Sequence, residues 1–163
     1  MPSPANNSLT WSAESVVVPP AVPFDMAAWS CCCAPVTTAA LNVHIVSFGF
    51  KYGVPAEADL LFDVRFIPNP YFVEGLRSLD GRNLKVRAFL EARPEAKEFV
   101  SRLKDLLGFL IPNYASEGKS YLTITIGCTG GKHRSVALAE EIREHFVENG
   151  VPVSVTHRDL GKE

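Results

Sequence analysis

The stretch Tyr121 to Val136, YLTITIGCTGGKHRSV, decides the reading of this chain. Tyr121 to Ile126 are mostly β-branched or aromatic, with little alternation of apolar and polar residues. Such a run predicts a strand buried on both faces, as in a parallel sheet. The strand is expected to break at Gly127-Cys128-Thr129-Gly130-Gly131, where three glycines stand in five residues. Glycine admits positive φ and lets backbone N–H groups approach a ligand closely. Lys132, His133, Arg134 and Ser135 then open a helical pattern. A glycine loop that feeds a helix N-terminus is an anion site, because unpaired N–H groups and the helix dipole both face the ligand. Cys128, Thr129, Gly130, Gly131, Lys132, His133, Arg134 and Ser135 are therefore expected to hold a phosphate or a phosphorylated ligand.

Two phosphate motifs can be tested against this loop. The P-loop pattern G-x-x-x-x-G-K-[ST] fails, since Gly127 and Gly131 enclose three residues and His133 follows Lys132. The pattern C-x-x-G-x-x-R-S, the phosphate loop of cysteine-dependent phosphatases, fits Cys128, Gly131, Arg134 and Ser135. In that chemistry the thiolate attacks phosphorus, and a helix N-terminus beside Lys132 and Arg134 would favour the thiolate. Asp63 would then be a candidate general acid. Gly127 stands where those enzymes usually carry histidine.

Upstream, Leu41 to Phe48 predict a first strand, and Leu60 to Val64 a second. Lys51, Asp63, Arg65 and Asn69 follow the ends of these strands, where open α/β sheets bind ligands. Two readings stand for each cation. Lys51 is a ligand residue or a solvated loop lysine. Arg65, with Asn69, binds ligand oxygens, or Arg65 forms a plain ion pair with Asp63. His44, in mid-strand, reads as a satisfied structural histidine. Arg77, Asp80, Gly81 and Arg82 read as a solvated polar turn.

A long helical region follows, with Pro94 in a first turn and Phe99, Leu103, Leu106, Leu107 and Leu110 as its apolar stripe. Pro112 and Gly118 are expected to bracket its exit. Val136 to Val147 supply the buried side of the helix after the loop, Gly150 is its expected C-cap, and Pro152 marks Pro152 to Thr156 as an edge strand. His157 and Arg158 lie at that strand's end, as rim residues of the site or as surface charge. The alternation predicts a small three-layer α/β domain with a mostly parallel sheet and a glycine-rich strand–loop–helix for phosphate.

The formal net charge is −2, with 16 basic and 18 acidic residues, which excludes a generic polyanion binder. Residues 1–40 carry only Glu14 and Asp25, and every Lys and Arg lies from Lys51 onward. Pro2, Pro4, Pro19, Pro20, Pro23 and Pro35 break each run there, so a poorly ordered tail is expected before a domain at 41–163. Cys31, Cys32 and Cys33 lack metal-ligand spacing, and with Cys128 they give no disulfide framework. A reduced, cytoplasmic protein is the simpler expectation. No apolar run approaches the ~20 residues of a membrane helix. No metal and no cofactor are expected, and no membrane partner.

Ile126 to Val136, together with SFGFKYG at 47–53 and FDVRFIPNPY at 62–71, resembles the C-terminal domain of the RNase adapter protein RapZ. The resemblance covers about residues 42–160, with the segments in the family's order. Full-length members carry an N-terminal P-loop nucleotide-binding domain, and this chain contains no G-x-x-x-x-G-K-[ST]. A nucleotide-binding label carried over from such members has no basis here beyond the phosphate loop. The resemblance implies a non-catalytic module that senses a phosphosugar, glucosamine-6-phosphate, and takes part in RNA regulation. The partners it implies are a small RNA and an endoribonuclease, and a homo-oligomer is a further expectation. Two alternatives stand beside it: a phosphatase with Cys128 as nucleophile, and a scaffold for a separate P-loop protein. The balanced charge gives no support of its own to RNA binding. On the sensing reading, Arg134→Ala is expected to abolish binding with little loss of fold.

Overall fold

The computed structural model describes residues 41–162. The expected tail at 1–40 and its three cysteines lie outside the described residues. Four strands form one sheet: β1 (Asn42–Gly49), β2 (Leu60–Asp63), β3 (Tyr121–Cys128) and β4 (Val153–His157). Their order is β2-β3-β1-β4, and all are parallel. The domain is thus of the expected α/β class, and its sheet is parallel throughout. Strands β1 and β3 are central, which is why both read as near-continuous apolar runs. β4 takes an edge, as Pro152 predicted.

Three helices accompany the sheet: α1 (Leu84–Glu91), α2 (Pro94–Ser116) and α3 (Arg134–Glu148). The core joins Val43 and Ile45 of β1 and Leu122, Ile124 and Ile126 of β3 to Val100, Leu103 and Leu107 of α2 and Ile142 and Phe146 of α3. Two ion pairs stitch the helices together, Arg87 to Glu144 at 2.5 Å and Lys104 to Glu141 at 3.2 Å.

The helical region differs from expectation in three ways. It is two helices, because Pro94 restarts the chain after a break at Ala92-Arg93. The buried line of α2 is Ala96, Val100, Leu103 and Leu107, whereas Leu106 is exposed. At ~100° per residue Leu106 lies about a quarter-turn away from the middle of that line. Pro112 lies inside α2 and does not end it. A proline forgoes one bond to the carbonyl four residues back and crowds it. That carbonyl is Gly108's, and Asn113 Nδ2 donates to the next one, of Phe109, at 2.6 Å. The helix stops at Gly118, with φ +86°, where Lys119 N–H donates to Tyr114 O and Gly118 N–H to Ala115 O. Gly150 ends α3 by the same device.

Candidate functional site

Because the strands are parallel, Gly49, Asp63, Cys128 and His157 all end at one edge of the sheet. From β1 the chain crosses past β3 to reach β2, and from β3 it crosses past β1 to reach β4. The two central strands thus send their connections in opposite directions, the arrangement that opens a ligand crevice between their ends. The glycine loop stands there.

β3 runs on through Gly127 to Cys128, two residues beyond the predicted break. Each glycine has its own reason. Gly127 lies under Phe48, whose ring a Cβ would meet at 2.4 Å. Gly131 has φ +76°, and its Cβ would stand 2.7 Å from Gly49 N. A Cβ on Gly49 would in turn stand 2.6 Å from the Gly130 carbonyl carbon. Two backbones meet at this point, which only glycine permits. Gly130 alone faces open space. Further bonds pin the loop: Lys51 N–H to Thr129 O at 3.1 Å, Val64 N–H to Gly127 O at 2.9 Å and Gly81 N–H to Lys132 O at 2.9 Å.

Asp159, absent from the sequence reading, lies beneath the loop. Its side chain is fully buried, accepts from Gly49 N–H at 2.8 Å, and pairs with Arg158 at 2.7 Å and Lys162 at 2.9 Å. Burial pushes the carboxyl up, but Arg158, the Gly49 N–H and Lys162 outweigh it and bring it from 3.8 to about 2. A depressed folded value means stabilisation present above the ordinary carboxylate value and lost as pH falls toward about 2. At 1.36 kcal/mol per pH unit the contribution is about 2 kcal/mol. Asp159→Asn is therefore expected to lower stability by about that amount at pH 6, with the gap from wild type closing between pH 4 and pH 2. Urea unfolding at several pH values measures this. A constant gap would remove the carboxylate's charge from the account.

Arg134 opens α3 and is only 4 % exposed. Its Nη1 donates to the carbonyls of Arg65 and Ile67, both at 2.9 Å, and its Nη2 to Thr129 Oγ1 at 3.3 Å. Its Nε is buried without a partner. Burial draws the guanidinium below its ordinary value, while Cys128 and Asp63 act in the opposite sense. One side of the fork thus anchors the loop after β2, and the Nε–Nη2 edge, the side-on edge that meets an anion in two parallel bonds, holds the orphan donor. Cys128 is 3 % exposed, and its Sγ accepts from Gly131 N–H at 3.3 Å and lies 3.2 Å from Ser135 Oγ. The His133 ring lies 3.2 Å from the Leu76 carbonyl, and it does not cap its own helix.

A depression of about 280 Å³ is lined by Asn69, Tyr71, Phe72, Cys128, Thr129, Gly130, Lys132, His133 and Arg134. Most of the predicted loop residues are thus brought together, with Asn69. Gly131 and Ser135 sit behind this lining. Asn69 also accepts from Tyr71 N–H at 3.3 Å and so starts the short turn Pro70–Phe72. Lys51 lines an adjoining depression. Arg65 lines neither. Its guanidinium meets the Asp63 carboxylate at 2.6 Å and stacks 4.1 Å from the Phe50 ring, so the ion-pair reading describes it. The same contact holds the Asp63 carboxyl below its ordinary value.

His157 and Arg158 are not rim residues either. His157 bridges Ser47 Oγ at 2.8 Å and Glu140 at 3.0 Å, and Arg158 ties Asp159 to the Gly53 carbonyl. His44 is satisfied by Ser154 at 2.8 Å, as expected. The supposed solvated turn is only partly so. Asp80 and Arg82 pair with each other near the surface, but Gly81 is buried against α3, and Arg77 reaches the adjoining depression. Phe72 and Arg77 had no motif to mark them and Tyr71 only closed the segment at 62–71, although the aromatic pair directly after Asn69-Pro70 was a usable signal. Among the described residues no group of three or more His, Cys, Asp or Glu is placed to hold a metal. No described helix is long and apolar enough to cross a membrane.

The domain is a parallel α/β fold with a glycine loop, a helix N-terminus and a buried arginine at its switch point, the place where open α/β sheets bind ligands. The chain belongs to the RapZ C-terminal domain family, whose model matches residues 41–161. A nucleotide-binding protein of Anaeromyxobacter sp. strain K is 56% identical over 125 residues, covering 77% of this chain and 42% of that protein. Nucleotide-binding proteins of Geotalea daltonii and Agathobacter rectalis are 52% and 51% identical, over 75% and 76% of this chain and 43% of each relative. The chain spans about two fifths of the length of these relatives.

Proposed function

We propose that this domain binds a phosphorylated small molecule, of the phosphosugar class and with glucosamine-6-phosphate as the first candidate, and reports its presence to a regulatory RNA and RNase system. One observation carries the binding: Arg134 Nε is buried without a partner beside the loop and the N-terminus of α3. A phosphate there takes the Nε–Nη2 edge in two parallel bonds and the first-turn N–H groups of α3. Lys132 adds charge from the lining, and Asn69 and Tyr71 offer groups for sugar hydroxyls. Calorimetric titration of the chain with glucosamine-6-phosphate, against glucosamine and inorganic phosphate, tests the reading. Saturable binding that needs both halves of the ligand is expected, and no binding of any of the three would sink it.

A second reading, phosphoryl transfer to Cys128, is favoured by the contacts of Sγ with Ser135 Oγ and Gly131 N–H. In that chemistry the thiolate attacks phosphorus, the ester P–O bond breaks, and the leaving oxygen takes a proton. Asp63, the proposed acid, is held by Arg65 and does not line the depression. Cys128→Ser separates the two readings. On the sensing reading it leaves ligand affinity within about twofold, there being no reaction to lose. A phosphate-release activity in the wild type that vanishes in Cys128→Ser would transfer the site to the second reading.

A further inference from the structure

The loop depression adjoins a larger one of about 600 Å³, lined by Lys51, Tyr71, Gly75, Arg77, Ser78 and Lys132. The two share Tyr71 and Lys132. No acidic residue lines either one among the described residues. The size of the larger falls in the ~300–1,000 Å³ range of small-molecule sites.

We propose that the crevice takes a small ligand with two anionic groups, a bisphosphorylated compound whose second phosphate lies at Lys51 and Arg77. The proposal rests on the loop being the site of the first phosphate. Three observations carry it. Arg77 is held in place, its guanidinium stacked 4.3 Å from the Tyr71 ring and donating to the Tyr71 hydroxyl. Ordering a long cationic side chain before the ligand arrives removes part of the entropic cost of binding. Lys51 is tied to the first site through its backbone, since its N–H donates to the Thr129 carbonyl. The donor balance of the lining is the third. Lys and Arg only donate, whereas sugar hydroxyls both donate and accept. Phosphate oxygens only need donors, so a second phosphate satisfies Lys51 and Arg77 better than the hydroxyls of a monophosphate do.

The test is titration of the chain with fructose 1,6-bisphosphate and with fructose 6-phosphate as probes, in wild type and Arg77→Gln. The bisphosphate is expected to bind about tenfold tighter or more than the monophosphate, one charge-assisted contact being worth that much. In Arg77→Gln this ratio falls by about tenfold, and Arg77→Lys retains part of it. An unchanged melting temperature shows that the variant is folded. Monophosphate binding without a gain for the bisphosphate overturns the second subsite and leaves the first. Failure of both probes overturns the second subsite, and the first phosphate site is then decided by the glucosamine-6-phosphate titration. A short single-stranded RNA that binds in an Arg77-dependent way, with no gain for the bisphosphate, overturns the small-ligand proposal in favour of a nucleic acid at this face.

Discussion

Arg134→Ala is expected to abolish binding of phosphorylated ligand and also to destabilise the domain. The first effect follows from losing a buried two-bond contact with an anion. Truncating such a partner costs about 3 kcal/mol, on the order of 100-fold in affinity. The second follows from the other side of the same guanidinium. Nη1 satisfies the carbonyls of Arg65 and Ile67, and Ile67 is fully buried. Orphaned buried acceptors cost about 1–3 kcal/mol each, so a loss of about 2–4 kcal/mol is expected. The expectation from sequence of little loss of fold is thereby corrected. Arg134→Lys sorts the two effects. It keeps the charge and can serve a carbonyl, but it cannot offer a fork. It is expected to recover much of the stability and to stay about tenfold or more weaker in binding. Thermal melts and calorimetry on both variants measure this. Wild-type affinity in Arg134→Ala would remove the loop from the site.

That correction shows where sequence reading reaches and where it stops. β3, its glycine loop and α3 are contiguous, so strand, turn and helix N-terminus could be read together. The parallel sheet was legible because Val43 to Phe48 and Tyr121 to Ile126 lack alternation. Arg134 was legible as a cation at a helix start. Its carbonyl partners at 65 and 67 were not, because no local pattern announces a side-chain bond across some 67–69 residues. Asp159 was hidden for the same reason. Its bond to Gly49 joins segments 110 residues apart, and no motif marks it. Pro112 was misread because a helical proline costs about 3 kcal/mol on its own, whereas the buried face that carries α2 past it, Val100, Leu103 and Leu107, depends on the rest of the fold.

Gly81→Ala is the variant expected to damage the fold most for the smallest chemical change. Read from sequence, Gly81 belonged to a solvated turn, where alanine would cost little. In the structure its N–H donates to the Lys132 carbonyl at 2.9 Å. A Cβ there would stand 2.2 Å from the His133 carbonyl oxygen, 2.5 Å from Ala137 N and 2.8 Å from Val136 Cβ. Those first two atoms make the first bond of α3, Ala137 N–H to His133 O at 3.0 Å. The added methyl would wedge the segment before α1 away from the start of α3. Backbone cannot yield as a flexible side chain does, so overpacking of this kind costs about 2–4 kcal/mol. A melting temperature lower by roughly 10 °C is the expected reading for a domain of this size. Ligand affinity should fall as well, because the same helix turn supplies the N–H groups of the proposed anion site. Gly108→Ala is the control of opposite sign. Nothing lies within 4 Å of its Cβ position inside α2, and alanine is the better helix former by about 0.8–1 kcal/mol. If Gly81→Ala melts with the wild type while Gly108→Ala rises, the start of α3 must have room to move. The close approach at Gly81 would then not be what positions the phosphate loop.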